Sequence, residues 1–212
     1  MRALRKLLQR TPFYGVYKSL GHYPDYWYWK LRGEPVRSPH LVKQLAVREY
    51  AGRYHLRVLV ETGTYYGEMV AAMKTSFDEI YSVEYDPPLA RRAKKKFERW
   101  PHIHVLEGDS QLVVPELLQS LEQPALFWLD AGYYGWAGVQ GDKQRLTTEL
   151  EAILSHRVAA HVVLMDDARG LNGQNGAPTV EQLKQRIAVM FPGREVEVKH
   201  DILRITPAKG TQ

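Results

Sequence analysis

The sequence predicts an α/β fold: a mostly parallel sheet covered by helices on both faces, closed by an antiparallel hairpin and preceded by a helical extension. Three observations predict it. From Arg57 onward, short apolar or β-branched runs alternate with helical periods, as a parallel sheet built from β-α units requires. Near the end, Val196–Val198 and Ile202–Ile205 are separated by only a few residues around His200 and Asp201, too few for a crossover helix, so they must pair antiparallel. The 212 residues suit one such domain with an extension and are too few for a typical eightfold barrel.

The elements follow in chain order. Met1, Leu4, Leu7 and Leu8 share one face of a short helix whose other face carries Arg2, Arg5, Lys6, Gln9 and Arg10, and Thr11-Pro12 stops it. The aromatic stretch from Phe13 to Leu31 is broken by Gly15, Gly21 and Pro24, and suits either packing or a lid over a ligand ring. Ser38-Pro39 reads as an N-cap followed by proline at the first helical position, opening a helix through Leu41, Val42 and Leu45 that Gly52 ends. Five strands are then expected at Val58–Val60, Ile80–Val83, Ile103–Leu106, Ala125–Leu129 and His161–Met165. Helices begin near Gly67, Pro87, Leu112, Lys143 and Thr179. The fourth shows Leu146, Leu150, Ile153 and Leu154 on one face, and the last opens with a Thr179/Gln182 capping box.

Composition excludes several functions. No cysteine is present, so disulfides, thiolate metal sites and a cysteine nucleophile are ruled out. Nothing resembles a membrane span or a signal peptide, and a cytoplasmic location is expected. The net charge of +5 is uneven. Residues 1–57 hold twelve Lys/Arg against three Asp/Glu, and the remainder holds seventeen against twenty-one. A basic, aromatic-rich extension over 1–52 is therefore expected to cap a mildly acidic catalytic domain over 53–212. The eight histidines form no zinc pattern; His102, His104 and His161 fall at the amino ends of strands and read as structural.

The first strand runs into Glu61-Thr62-Gly63-Thr64-Tyr65-Tyr66-Gly67. Glycines at a strand-to-helix turn let a ligand approach the backbone. Glu84 closes the second strand twenty-one residues after Gly63, where a carboxylate meets ribose hydroxyls. Asp109 follows the third. Gly-x-Gly-x-x-Gly is absent and an acid precedes the turn, which favours S-adenosylmethionine (SAM) over a dinucleotide. Asp130 ends the fourth strand and Asp166-Asp167 the fifth. Three carboxylates on one rim are hard oxygen ligands suited to Mg2+ or a similar divalent ion, and without a cation they would repel.

The pattern Glu61-Thr-Gly-Thr-x-x-Gly67, Tyr81-Ser-Val-Glu84 and Gly108-Asp109-Ser110 resembles the first three motifs of class I SAM-dependent methyltransferases. Leu126–Asp130 and Val163–Arg169 resemble later motifs of bacterial macrocin-type, metal-dependent sugar O-methyltransferases. The resemblance spans about Leu41 to Ile205. It implies a Rossmann-like sheet in the order 3-2-1-4-5-7-6 with strand 7 antiparallel. It also implies a cofactor site of Glu61, Gly63, Thr64 and Gly67 near the methionine part, Glu84 on the ribose, and Tyr85, Asp109 and Ser110 at the adenine. Asp130 would border the cofactor, and Asp130, Asp166 and Asp167 would hold the metal; read from the residues themselves, Asp130 is the candidate catalytic residue for taking the proton directly. The chain departs from the family in Asp130-Ala131-Gly132-Tyr133-Tyr134, where Gly132 takes the histidine position and a His-assisted mechanism is not implied.

O-methylation of a sugar or small-molecule hydroxyl is the resulting expectation, with a small-molecule or glycan acceptor as partner. Methylation of nucleic acid would use the +9 segment on phosphates, but Leu-Asp-Ala-Gly after strand four is not the Asn/Asp-Pro-Pro-Tyr type used on base amines. A catalytically degenerate binding module is the non-enzymatic reading. The extension leaves room for weak contact of its helix with a membrane surface, and the chain for a homo-oligomer.

Overall fold

A computed structural model describes residues 23–35, 37–130, 142–174 and 177–208. The expected helix over 1–10, the first part of the aromatic stretch, and Gly132, Tyr133 and Tyr134 lie outside the described residues.

Two helices lead in. Helix α1 (Tyr23–Leu31) buries Trp29. Pro24 does not break it, because a proline in the first helical turn gives up only an N–H that has no intrahelical acceptor. Helix α2 is His40–Arg53. Its N-cap is Pro39, not Ser38, and no side chain caps it; the Ser38 hydroxyl is buried without a hydrogen-bond partner. The Ser-Pro pair marks the helix start one residue early, within the usual uncertainty of a helix end.

The alternation then unfolds as β1 (Val58–Thr62), α3 (Glu68–Met73), β2 (Glu79–Glu84), α4 (Pro87–Phe97), β3 (Ile103–Glu107), α5 (Ser110–Ser120), β4 (Ala125–Leu129), α6 (Asp142–Leu154), β5 (Val162–Met165) and α7 (Val180–Met190). The chain closes with β6 (Arg194–Lys199) and β7 (Ile202–Pro207). Thr179 and Gln182 form the expected reciprocal capping box at the start of α7.

The seven strands lie in the order β3-β2-β1-β4-β5-β7-β6. β1 to β5 pair in parallel, and β7 runs antiparallel between β5 and β6. The two-residue turn between β6 and β7 places His200 and Asp201 at φ 53° and 63°, the doubly left-handed geometry that suits the twist of a hairpin.

Side chains alternate across the sheet with period two. Val58, Val60, Phe127, Val163 and Leu203 face one side, where they pack with Val114 and Leu118 of α5, Leu150 and Ile153 of α6, and Leu183 and Ile187 of α7. Leu59, Ile80, Trp128, Leu164 and Ile202 face the other, with Ala46, Val47 and Tyr50 of α2, Met69 and Met73 of α3, and Phe97 of α4. Helix α2, although it precedes the first strand, is thus part of this second core layer. Its Tyr50 hydroxyl donates to Glu197 Oε1 of the edge strand β6 at 2.5 Å. Beside it, the buried Arg204 donates to the carbonyls of Lys199 and Ile202, its guanidinium 5.6 Å from the Tyr50 ring.

Candidate active site

All five parallel strands end on one rim, and the order reverses between β1 and β4, where an open α/β sheet leaves a crevice. Across the rim in strand order stand Asp109, Glu84, Glu61, Asp130 and Asp166.

The β1 side is tightly built. Gly63 has φ 86°, and its N–H donates to Val83 O at 2.9 Å, which pins the turn to β2. Gly67 caps α3 at φ 65°, and a Cβ there would lie 2.7 Å from the Phe97 ring. Glu84 is 5% exposed, so it is no solvated strand end. Its Oε2 accepts from Tyr65 N at 2.6 Å and its Oε1 from Asp86 N at 2.9 Å. Each oxygen keeps one lone pair for a further donor. Gly108 N donates to Glu84 O at 2.9 Å, tying the third strand end to the second. Asp109 caps α5 by accepting from Gln111 N at 3.1 Å, and Ser110 is the first residue of that helix. Tyr85 is exposed.

Glu61 lies deeper than its place in the motif indicates, at 2% exposure. Ser82, its register partner on β2, donates to Glu61 Oε2, and the Thr64 and Ser82 hydroxyls are 2.6 Å apart. Burial pushes the Glu61 carboxyl up to about 8, with the charges of Asp130 and Glu84 adding to the shift and the Ser82 hydrogen bond opposing it. Thr64 spends its hydroxyl on this buried chain.

On the other half, Leu129 and Met165 are register partners, so Asp130 and Asp166 follow side by side on adjacent strands about 5 Å apart. Their backbones are fixed by Asp130 N to Thr62 O at 3.1 Å and Asp166 N to Leu129 O at 3.0 Å. Burial, together with Asp166 and Asp167, pushes Asp130 up to about 7, against the pull of Lys43. Burial likewise raises Asp166.

The cation beside these acids is Lys43 of α2, whose ammonium pairs with Asp166 Oδ2. The other Asp166 oxygen accepts from Asp167 N at 2.8 Å. Asp167, at φ 55°, pairs instead with Arg169 Nη1 at 2.8 Å. Arg169 is held in turn by Asp201 of the hairpin turn, which also accepts from Arg169 N at 2.8 Å. That turn stands at the same rim, and His200 there contacts Glu34 at 3.0 Å and the edge of Trp29 of α1 at 5.2 Å.

The expected site residues therefore reach one rim, and of the expected metal ligands Asp130 and Asp166 stand together while Asp167 is turned away. Among the described residues no group of three acidic or histidine side chains is placed to hold a metal. Asp166 is spent on Lys43 and Asp167 is turned to Arg169, so the donor set as arranged does not fit a divalent ion. The sequence reading missed Lys43 and Arg169. Lys43 lies 123 residues from Asp166 and carries no local signal. Ser82 was legible in principle, being a small polar residue inside an apolar strand run.

Neither a family model nor a curated protein matches the chain. Solved structures do. An O-methyltransferase from Bacillus cereus in complex with SAH superposes with a TM-score of 0.60 at 14% identity, covering 85% of this chain and 86% of that one. Methyltransferase PaMTH1 from Podospora anserina, bound to SAH, gives 0.52 at 20% identity, covering 89% and 88%. TomG from Streptomyces achromogenes, an O-methyltransferase involved in tomaymycin synthesis and solved with SAM, gives 0.53 at 15% identity, covering 79% and 80%. The chain has the Rossmann-like class I methyltransferase fold, with the strand order and antiparallel β7 that the sequence motifs imply. No helix among the described residues is long and apolar enough to cross a membrane.

Proposed function

We propose that the protein transfers a methyl group from SAM to a hydroxyl of a small molecule or glycan. The observation that supports this reading best is the division of the rim at the β1–β4 reversal. On one side Glu84 is held by the Tyr65 N–H of the Gly63 turn and by the Asp86 N–H of its own segment; on the other Asp130 and Asp166 stand side by side. The first half suits a nucleoside, the second an acceptor.

When bound, SAM supplies an electrophilic methyl whose C–S bond breaks, leaving the electron pair on sulfur, as the acceptor oxygen forms its C–O bond. The chain's residues do the rest. Glu84 accepts hydrogen bonds from ribose hydroxyls through its remaining lone pairs. Asp109 and Ser110, with Tyr85 beside them, border the adenine. Gly63 presents backbone without a side chain to the methionine part, with the buried Glu61 carboxyl nearby. Asp130 takes the acceptor proton, and a carboxyl held near 7 is matched to that task at neutral pH. Helix α1, docked on the hairpin through Trp29 and His200, covers the acceptor side.

Titration calorimetry tests the cofactor half. SAM should bind, and Glu84→Ala should abolish most of that binding while the fold persists by circular dichroism. No heat at millimolar SAM would end the reading. Mass-shift screening of hydroxylated acceptors, neutral and acidic, then tests the transfer.

A further inference from the structure

The carboxylate at the end of β5 is paired from within the chain, beside Asp130 at the end of β4. Lys43 reaches Asp166 from the first turn of α2, and its side chain is largely covered while that of Asp166 is almost wholly so. The helix that carries it cannot withdraw easily. Ala46, Val47 and Tyr50, on the following turns, lie in the core layer, and the Tyr50 hydroxyl is tied to Glu197. A divalent ion at Asp166 would have to break the Lys43 pair, and like charges would then sit in a poorly solvated site. It would find Asp167 turned away to Arg169, itself gripped by Asp201. Only Asp130 and Asp166 would remain as ligands.

We propose that the Lys43 ammonium is the resident cation of the acceptor half, standing where a divalent metal would otherwise bind, so that the protein works without metal. Resting on the methyl-transfer reading, Lys43 becomes a direct acceptor contact. One of its three N–H donors is committed to Asp166, and the others face the acceptor oxygen as its proton leaves to Asp130. The cation is therefore supplied by the fold and fixed in place.

The test begins with cation binding, which needs no turnover. Full-length protein is titrated with Mn2+, and free Mn2+ is followed by electron paramagnetic resonance. Wild type should leave Mn2+ free up to about millimolar concentration. Lys43→Ala should gain a site at least about tenfold tighter, and Asp166→Asn in that background should remove it. Lys43→Arg, which keeps the charge, should stay blind to Mn2+ and shows that the effect is not one of folding. A wild-type site below about 0.1 mM that Asp166→Asn abolishes would overturn the proposal. So would a folded Lys43→Ala variant that binds no more Mn2+ than wild type. Where an acceptor has been found, wild-type transfer should survive excess chelator, and Lys43→Ala should lose at least about a hundredfold in kcat. Failure of SAM to bind in calorimetry would defeat the methyl-transfer reading and leave the cation result standing on its own.

Discussion

Glu61 offers a measurement that isolates one buried charge. Its carboxyl is 2% exposed and pushed up to about 8 from an ordinary value of 4.5. The folded state therefore holds a proton that the unfolded chain has already released. Between about pH 4.5 and pH 8 the native form binds more protons than the unfolded form, so this group's contribution to stability falls as pH rises. It levels off above 8, where both forms are ionised. At about 1.36 kcal/mol per pH unit the full loss is on the order of 5 kcal/mol. Glu61→Gln keeps the shape and an acceptor for the Ser82 hydroxyl but cannot ionise. The comparison is urea unfolding at intervals from pH 5 to pH 9, followed by tryptophan fluorescence, to which Trp128, the register partner of Glu61 on β4, contributes. The stability of Glu61→Gln minus that of wild type should climb by about 1 kcal/mol per unit between pH 5 and pH 8, then flatten. A difference that stays constant across the range would refute the buried, proton-holding carboxyl.

Three further outcomes follow from the same geometry. With Asp130 as base, kcat/KM at limiting acceptor should rise about tenfold per pH unit below pH 7 and level above it, and Asp130→Asn should remove that limb; a pH-independent rate would reject the role. Gly67→Ala places a Cβ against the Phe97 ring at a φ of 65°, so stability should fall by about 2–3 kcal/mol, read as a lowered urea midpoint; an unchanged midpoint would contradict the close approach. Deletion of residues 1–37 leaves α2 intact and should preserve SAM affinity while impairing acceptor use, read by calorimetry and turnover; loss of both would make the segment part of the fold.

The strands and helices were legible because short apolar runs give way sharply to helical periods at each boundary, and the hairpin because three residues leave no room for a crossover. The turn at Gly63 and the acids at Glu84 and Asp109 were legible because chain spacing alone sets them at strand ends. What the sequence hid is how side chains spend their hydrogen bonds. Glu61 reads as a rim acid and is a buried one. Thr64 reads as a ligand contact and shares a hydrogen bond with Ser82 of the buried chain to Glu61. Asp167 continues the motif of Asp166, yet a left-handed backbone turns it to Arg169. Lys43 stayed invisible because its partner comes from β5, and pairing over such a separation leaves no periodic trace.

The long reach of the N-terminal elements bears on how the chain acquires its structure. Lys43 waits for Asp166, Tyr50 for Glu197 and Glu34 for His200, separations of 123, 147 and 166 residues. Contacts so distant close large loops and form slowly. During synthesis the apolar face of α2 gains its partners on α3, β1 and β4 first, and Lys43 can pair with Asp166 only once β5 has followed. The acceptor half should therefore be the last part to mature. A folding intermediate that holds the β1–β4 layers but not the β6–β7 hairpin would leave the sheet with an unpaired apolar edge open to aggregation.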